Sequence, residues 1–357
     1  MFAANIPAEN AGEVMPDERT MQLGFIGLKG HAISTLTGAT QLGDVTITAV
    51  SDDNPVQLEA FIKRLPQSPK PQGYAEWRHL IEHTMLDVCC VGDECGVRFE
   101  QLLALIERGV HIIAEKPLVT TLADLERLRA AFAKSKSQLT MLLELRHQPK
   151  HARVRELVRS GAIGKVCQVT TQKSYKWGKR DAWFKSRARF GGTIPYVGVH
   201  SLDTIRWVTG LDFTHLAAFH GRGEQAEFGE TENHASILAQ LSNGASVTAR
   251  IDFLRPAIAA THGDDRLRVA GTGGVIEVKE GDEAVSLITG GKTERIPFGE
   301  TENIFVEFVK FIRGGPPPRI TADDCFYITE VMLRAREAAD EMKLIALPPL
   351  RPVRGPR

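Results

Sequence analysis

Met21-Gln22-Leu23-Gly24-Phe25-Ile26-Gly27-Leu28-Lys29-Gly30-His31-Ala32 reads as a short apolar strand, a glycine-bearing turn and the start of a helix expected to run from Gly30 to Gln41. A turn of this kind reverses the chain tightly and leaves free N–H groups at a helix N-terminus, where a pyrophosphate is held. Against the pattern G-x-G-x-x-G/A, Gly27 and Ala32 fill the first and third small positions. Lys29 stands where the second glycine belongs, and Gly30 follows it. The turn alone also fits an ordinary strand-to-helix loop. Its context adds the discriminating feature, because the β-branched run Val45–Val50 ends in Ser51-Asp52-Asp53, about 20 residues downstream. An acid at that point accepts hydrogen bonds from ribose hydroxyls and repels a 2′-phosphate, so Asp52 and Asp53 favour NAD over NADP. One of the two is also expected to cap the turn. Gly27, Leu28, Lys29, Gly30 and His31 complete the candidate cofactor cradle.

From the turn to residue 145 the alternation continues. Helices are expected over 56–65, 77–83, 98–108 and 122–136, with strands over 86–91, 110–114 and 140–145. Strands alternating with helices of ten to fifteen residues make βαβ units and a parallel sheet. Beyond residue 145 the rhythm changes. Helices are expected over 151–160 and 199–208, and strands over 166–175, 234–241, 246–253, 267–270, 275–278 and 284–288. Asn243-Gly244 and Gly281-Asp282 fall between strands in hairpin positions. The fold class is therefore α/β followed by α+β: a Rossmann domain over 21–145, then a mainly antiparallel open-faced sheet over 146–347. Residues 1–20 and 348–357 are expected to be loosely packed tails, and helices over 303–313 and 322–342 return to cover the sheet or the first domain.

Composition bounds the function. The 44 Lys+Arg and 44 Asp+Glu cancel, which argues against a dedicated nucleic-acid binder. No apolar run reaches the roughly 18 residues of a membrane span, and the acidic start (Glu9, Glu13, Asp17, Glu18) is not a secretory signal. Five cysteines, three crowded at 89, 90 and 95, fit neither a disulfide framework nor a zinc knuckle. Buried, reduced thiols in a cytoplasmic protein are expected, with no metal; His147 and His151 are four apart but lack an evident carboxylate partner.

Arg108-Gly109-Val110-His111 followed by Glu115-Lys116-Pro117 resembles the "G-x-H-V…E-K-P" signature of the glucose–fructose oxidoreductase/inositol dehydrogenase (GFO/IDH/MocA) family. Gly191-Gly192, then Gly198-Val199-His200 and Asp203, resembles its second signature, and the two stand in the right order. The resemblance spans about 21–348. It implies an NAD-dependent oxidoreductase of polyols, sugars or sugar-derived acids, with the active site between two domains. It makes Lys116 the catalytic lysine, His200 the catalytic histidine and Glu115 a cofactor contact. Abstracting a hydroxyl proton during hydride loss needs a group with a pKa tunable towards neutrality, which histidine and a desolvated lysine both offer. One position departs: four residues before the histidine the family has an aspartate, and this chain has Tyr196. If the helix starts by Tyr196, that spacing puts both side chains on one face.

Between 173 and 189 lie seven cations (Lys173, Lys176, Lys179, Arg180, Lys185, Arg187, Arg189) against Asp181, interleaved with Tyr175, Trp177, Trp183 and Phe184. This segment, with Arg180 and Trp183 foremost, is expected to border the substrate, to solvate a long loop or to meet another subunit. The resemblance also implies a homo-oligomer, dimer or tetramer, built on the open sheet face. A non-catalytic dinucleotide- or sugar-binding protein on the same fold is the alternative that Lys29 and Tyr196 raise.

Overall fold

The computed structural model describes residues 20–223 and 226–354, so the expectation for an N-terminal tail lies outside the described residues except at Thr20. The first unit alternates β1 (Met21–Ile26), α1 (Ala32–Thr40), β2 (Val45–Ser51), α2 (Pro55–Arg64), β3 (Gln72–Tyr74), α3 (Trp77–His83), β4 (Val88–Val91), α4 (Cys95–Glu107), β5 (His111–Ala114), α5 (Leu122–Lys134) and β6 (Leu139–Met141). Its six strands lie in the order β3-β2-β1-β4-β5-β6, all parallel. Helices cover both faces, so the central strands are apolar throughout: Leu23, Phe25, Ile26, Val88–Val91 and Ile112–Ala114 are all buried. The strand order reverses between β1 and β4, which opens a crevice at their C-terminal ends.

The second unit contains α6 (Pro149–Arg159), β7 (Val166–Tyr175), α7 (Arg187–Phe190), α8 (Val199–Thr209), β8 (Phe213–Gly221), β9 (His234–Leu241), β10 (Ser246–Asp252), β11 (Gly263–Gly271), β12 (Gly274–Lys279), β13 (Ala284–Thr289), β14 (Lys292–Pro297), α9 (Ile304–Ile312), α10 (Ala322–Glu341) and β15 (Ile345–Ala346). Nine strands form one sheet in the order β14-β13-β12-β11-β7-β10-β9-β8-β15, antiparallel except for the β7–β10 pair. Burial alternates strictly along β9, as a sheet covered on one side requires: Ala235, Ile237, Ala239 and Leu241 point inward. Leu238 and, on neighbouring β8, Phe219 are exposed.

The two final helices tie the units together. Asn303 caps α9 and its Nδ2 donates to Ser34 O (3.1 Å) on α1. Gly38 of α1 permits that approach, because a Cβ there would lie 2.3 Å from Asn303 Oδ1. From α10, the Phe326 ring meets Phe132 of α5 (centroids 5.6 Å apart) and Glu330 pairs with Arg129 (3.2 Å). On the same helix, Tyr327 Oη accepts from Phe213 N–H of β8 (2.9 Å). Arg146, buried at the crossing of the units, binds Asp203 of α8 through Nε and Nη2 and Asp324 of α10 through Nη1.

Three expectations need correction. Residues 348–354 are not a loose tail. Val353 is buried, its N–H donates to Asp323 Oδ1 (2.7 Å), and the Arg354 guanidinium stacks 4.1 Å from the Phe132 centroid. A backbone hydrogen bond anchors this segment to α10, and a cation over a ring anchors it to α5 of the first unit. Cys167 is exposed on β7, unlike the other four thiols, which are buried. Finally, His147 does have a carboxylate partner: its Nε2 lies 3.0 Å from Glu307 Oε2 of α9.

Candidate active site

The glycine turn sits over the crevice between β1 and β4. Gly27 (φ 72°) and Gly30 (φ 69°) both adopt the left-handed conformation. A Cβ on Gly27 would lie 2.7 Å from the Asp93 backbone, and one on Gly30 only 2.3 Å from Glu115 Oε1. The turn is braced from beneath by Asp52, whose buried carboxylate accepts from Leu28 N–H (2.9 Å) and Asn54 N–H (2.8 Å). Burial raises the Asp52 pKa. Asp53 is exposed and meets Lys29 Nζ at 3.2 Å, which also lies 2.8 Å from Asp93 Oδ1. Burial would lower the Lys29 pKa, but the charge and hydrogen bond of Asp93 raise it. Lys29 is thus an intramolecular strut between the ends of β2 and β4. Helix α1 begins at Ala32 rather than Gly30, with His31 as its N-cap.

Glu115, at the end of β5, is buried beside this helix end. Its Oε1 accepts from the His31 backbone N–H and lies 2.8 Å from His31 Nδ1, while Oε2 accepts from Lys116 N–H (3.1 Å). Burial would raise this carboxyl, but the charge and hydrogen bond of His31 hold it down at about 2.

Lys116 is buried, with Nζ donating to Tyr196 O (3.3 Å) and lying 3.5 Å from the Tyr196 ring centroid. Burial drives its pKa down to about 8, against the raising effect of Glu115. Tyr196 lies in a π-helical turn, Ile194–Gly198, so α8 starts only at Val199 and the regular i,i+4 geometry expected for Tyr196 and His200 is interrupted. Its ring enters an aromatic nest with Phe190, Phe184 and Trp183 (centroids 4.7, 5.4 and 6.2 Å away). Burial pushes its phenol pKa up. His200 occupies the first turn of α8, its ring edge-on to His31 at 5.9 Å. Burial first, then the charge of Lys116, drives the His200 pKa well below its ordinary value, so the ring is neutral.

The basic segment is ordered rather than a long solvated loop. Lys173 lies on β7, buried and ion-paired to Asp265; Arg187 meets Asp340 (2.6 Å) and Glu232 (3.2 Å), and Arg189 meets Glu94 (2.5 Å). Arg180 donates from Nε to Trp177 O (2.8 Å) and packs 4.9 Å from the Phe184 centroid and 5.4 Å from Phe253. Trp183 is buried as a wall of the same nest. The structure therefore gathers Glu115, Lys116, Tyr196, His200, His31 and the glycine turn around one crevice, and keeps Arg180 and Trp183 on its aromatic flank.

Sequence reasoning did not single out Asp93, the residue that accounts for Lys29. The available signal was Val91-Gly92-Asp93 at a strand end next to the switch point. Gly92 is required there, since a Cβ would lie 2.9 Å from Lys29 O.

Residues 21–143 match an oxidoreductase family with an NAD-binding Rossmann fold, GFO/IDH/MocA, and residues 151–277 match the GFO/IDH/MocA C-terminal domain. A solved structure from Thermotoga maritima, named as an oxidoreductase, is 34% identical, superposes with a TM-score of 0.87, and the match covers 92% of this chain and all of that one. A myo-inositol 2-dehydrogenase from Thermotoga maritima is 22% identical over 339 residues, 92% of this chain and 98% of that protein. An oxidoreductase from Agrobacterium radiobacter, solved with NAD+, L-tartaric acid and magnesium, shares the fold (TM-score 0.79, 17% identity, 92% and 98% covered). The chain belongs to the GFO/IDH/MocA family of oxidoreductases, and its first domain is an NAD-binding Rossmann domain. The residues present fit that cofactor: left-handed Gly27 and Gly30 turn the chain from β1 into the N-terminus of α1, and acids close the end of β2.

Proposed function

We propose that this family member transfers a hydride between NAD and a carbinol carbon of a polyol, sugar or sugar-derived acid. The observation that carries the reading is the buried Lys116, with a pKa lowered to about 8, held between the glycine cradle and the neutral His200. Gly27, Leu28, Gly30 and His31 would face the pyrophosphate, and Asp52 and Asp53 the adenosine ribose. When bound, NAD supplies the acceptor for the hydride. Lys116, as a free amine, takes the hydroxyl proton while the carbonyl forms, and a base with a pKa near the working pH is best suited to this. His200 accepts that proton at one ring nitrogen and releases one from the other, which a neutral imidazole does without becoming a strong base. Tyr196 is a pocket wall that presents its ring face to the ammonium. Arg180 offers a cation to a substrate carboxylate from the aromatic flank.

Lys29 no longer supports the non-catalytic alternative, because it is consumed by Asp53 and Asp93. The same proposal places the protein in the cytoplasm as a homo-oligomer, with a domain division near residue 145; the exposed Phe219 and Leu238 on the open sheet face support the oligomer. The test is NADH formation across a panel of polyols and sugar acids with wild type and Lys116→Ala. Turnover by the wild type that the variant loses is expected. A wild type that oxidises nothing in the panel overturns the reading.

A further inference from the structure

A proton taken from the substrate in this crevice needs a way out. A cofactor and a substrate bound in the crevice would cover its mouth. His200 is 4% exposed. A path through the protein on the far side of His200 would then carry the proton out.

Behind His200, on the side of α6 and the second sheet, five buried polar atoms have no hydrogen-bond partner among the described residues: His200 Nδ1, Ser201 Oγ, Thr204 Oγ1, His151 Nδ1 and Asp265 Oδ1. Buried polar groups are nearly always paired, and an unpaired one costs roughly 1–3 kcal/mol. Here the five residues line a single narrow cavity between α6, α8, β7, β11 and β12, of about 10 Å³. That is about the space of one water, which needs two to four polar partners. Apolar cavities stay dry, but one walled by two imidazoles, two hydroxyls and a carboxylate does not.

The same cavity reaches outward. Lys150 and Lys279 line it, and Lys150 Nζ pairs at the surface with Glu280 (2.7 Å). Asp265, a wall of the cavity, is held in place by the buried ammonium of Lys173 through Oδ2, which leaves Oδ1 buried without a hydrogen-bond partner among the described residues.

We propose that this cavity binds a water that carries the reaction's proton from His200 to solvent, a role that rests on the dehydrogenase reading above. In the oxidising direction the substrate O–H bond breaks and its proton goes to Lys116 Nζ, while the hydride leaves carbon for NAD and the electron pair of the O–H bond becomes the carbonyl bond. The Lys116 ammonium then passes its proton to His200 Nε2. The proton on His200 Nδ1 passes to the cavity water, and the water gives one to Asp265, from which it leaves at the Lys150–Glu280 mouth. One proton enters the ring and one leaves, so His200 stays neutral outside the transfer itself, as its depressed basicity requires. His151, also neutral because burial drives its pKa far down, accepts a hydrogen bond from the same water and positions it.

Two measurements test this. A crystal structure of the NADH complex at a resolution that shows waters should place one within hydrogen-bond distance of His200 Nδ1 and of Asp265 Oδ1 or His151 Nδ1. A dry cavity overturns the relay whatever the protein oxidises. The kinetic test uses Thr204→Val, which keeps the shape and removes one water partner, and His151→Gln. Asp265 is avoided because it neutralises buried Lys173. Each variant should lose kcat by about tenfold, less than the 10²–10⁴ of a group that touches substrate, with the KM for NAD unchanged. The solvent deuterium isotope effect should rise and the substrate deuterium isotope effect should fall towards one as proton release becomes limiting. Unaltered kcat and isotope effects in both variants overturn the relay while leaving the dehydrogenase reading intact. Failure of the wild type on the substrate panel, with the water in place, overturns the dehydrogenase reading and the relay with it.

Discussion

The ammonium of Lys116 rests 3.5 Å from the centroid of the Tyr196 ring and donates to the carbonyl of the same residue. A ring face attracts a cation by about 2 kcal/mol in a desolvated site, which is far less than a buried carboxylate at the same distance. Burial therefore wins, and the lysine titrates at about 8 rather than 10.5. Tyr196, where the family resemblance implies an aspartate, adds no negative charge to offset that burial.

Tyr196 variants separate the ring from the hydroxyl. Tyr196→Phe keeps the ring face, so kcat should stay within about threefold and the pH midpoint of kcat/KM should not move. Tyr196→Asp puts a full negative charge beside the ammonium and should move the midpoint up by about one unit or more. A large loss in Tyr196→Phe would mean that the phenol itself moves a proton.

Cofactor choice follows from the end of β2. NADH should bind more tightly than NADPH in a fluorescence titration, because an acid there repels a 2′-phosphate. Asp52→Ala should also lower the melting temperature, since it strands the Leu28 and Asn54 N–H groups at a cost of about 1–3 kcal/mol each. Asp53→Ala should relax the preference with little change in stability. Equal affinity for the two cofactors in the wild type would remove the ribose role from both residues.

Much of this was legible in the chain. The βαβ alternation, the glycine turn and the strands of the second sheet stand out because apolar periodicity is a local property. Strands β3, β8, β14 and β15 were not read from the sequence: Gln72–Tyr74 and Ile345–Ala346 are too short to alternate, Phe213–Gly221 is rich in Ala and His rather than β-branched residues, and Lys292–Pro297 presents mostly polar side chains. The residues of the candidate site were named from motif positions, but their coupling was not visible there. Nothing local says that Lys29 will find Asp93, that a π-helical turn will shift Tyr196 off the helix face of His200, or that Lys173 will be buried against Asp265. Those are pairings between residues distant in sequence, set by the tertiary packing inside each domain.

Acid stability should report Glu115. Its folded pKa of about 2 lies below its ordinary value of 4.5, so its stabilising contribution is present above about pH 4.5 and is lost as pH falls towards 2. The shift corresponds to a contribution on the order of 3 kcal/mol. In Glu115→Gln the melting temperature should fall at pH 7 and vary less with pH between about 5 and 2 than in the wild type. Parallel curves for the two proteins would show that the His31 contact stabilises nothing.

Arg180 should govern acidic substrates. Arg180→Met keeps the packing against Phe184 and Phe253 and removes the charge, so KM for a sugar acid should rise about tenfold while KM for the neutral polyol stays put. The exposed Lys185, which has no carboxylate partner among the described residues, should tolerate charge reversal with KM unchanged. If Lys185→Glu raises KM and Arg180→Met does not, the anion contact lies on the outer rim.

The most direct measurement is the pH dependence of kcat/KM for NAD-dependent oxidation of whichever panel substrate is turned over, in the wild type and in Lys116→Ala. The neutral amine is the active form, so kcat/KM should climb about tenfold per pH unit below the Lys116 pKa. It should level off above about 8, where that pKa lies. In Lys116→Ala the activity should fall by about 10²–10⁴ and the inflection near pH 8 should disappear, with NADH binding intact. A wild-type profile flat through pH 8, or an inflection that survives in Lys116→Ala, would contradict Lys116 as the base.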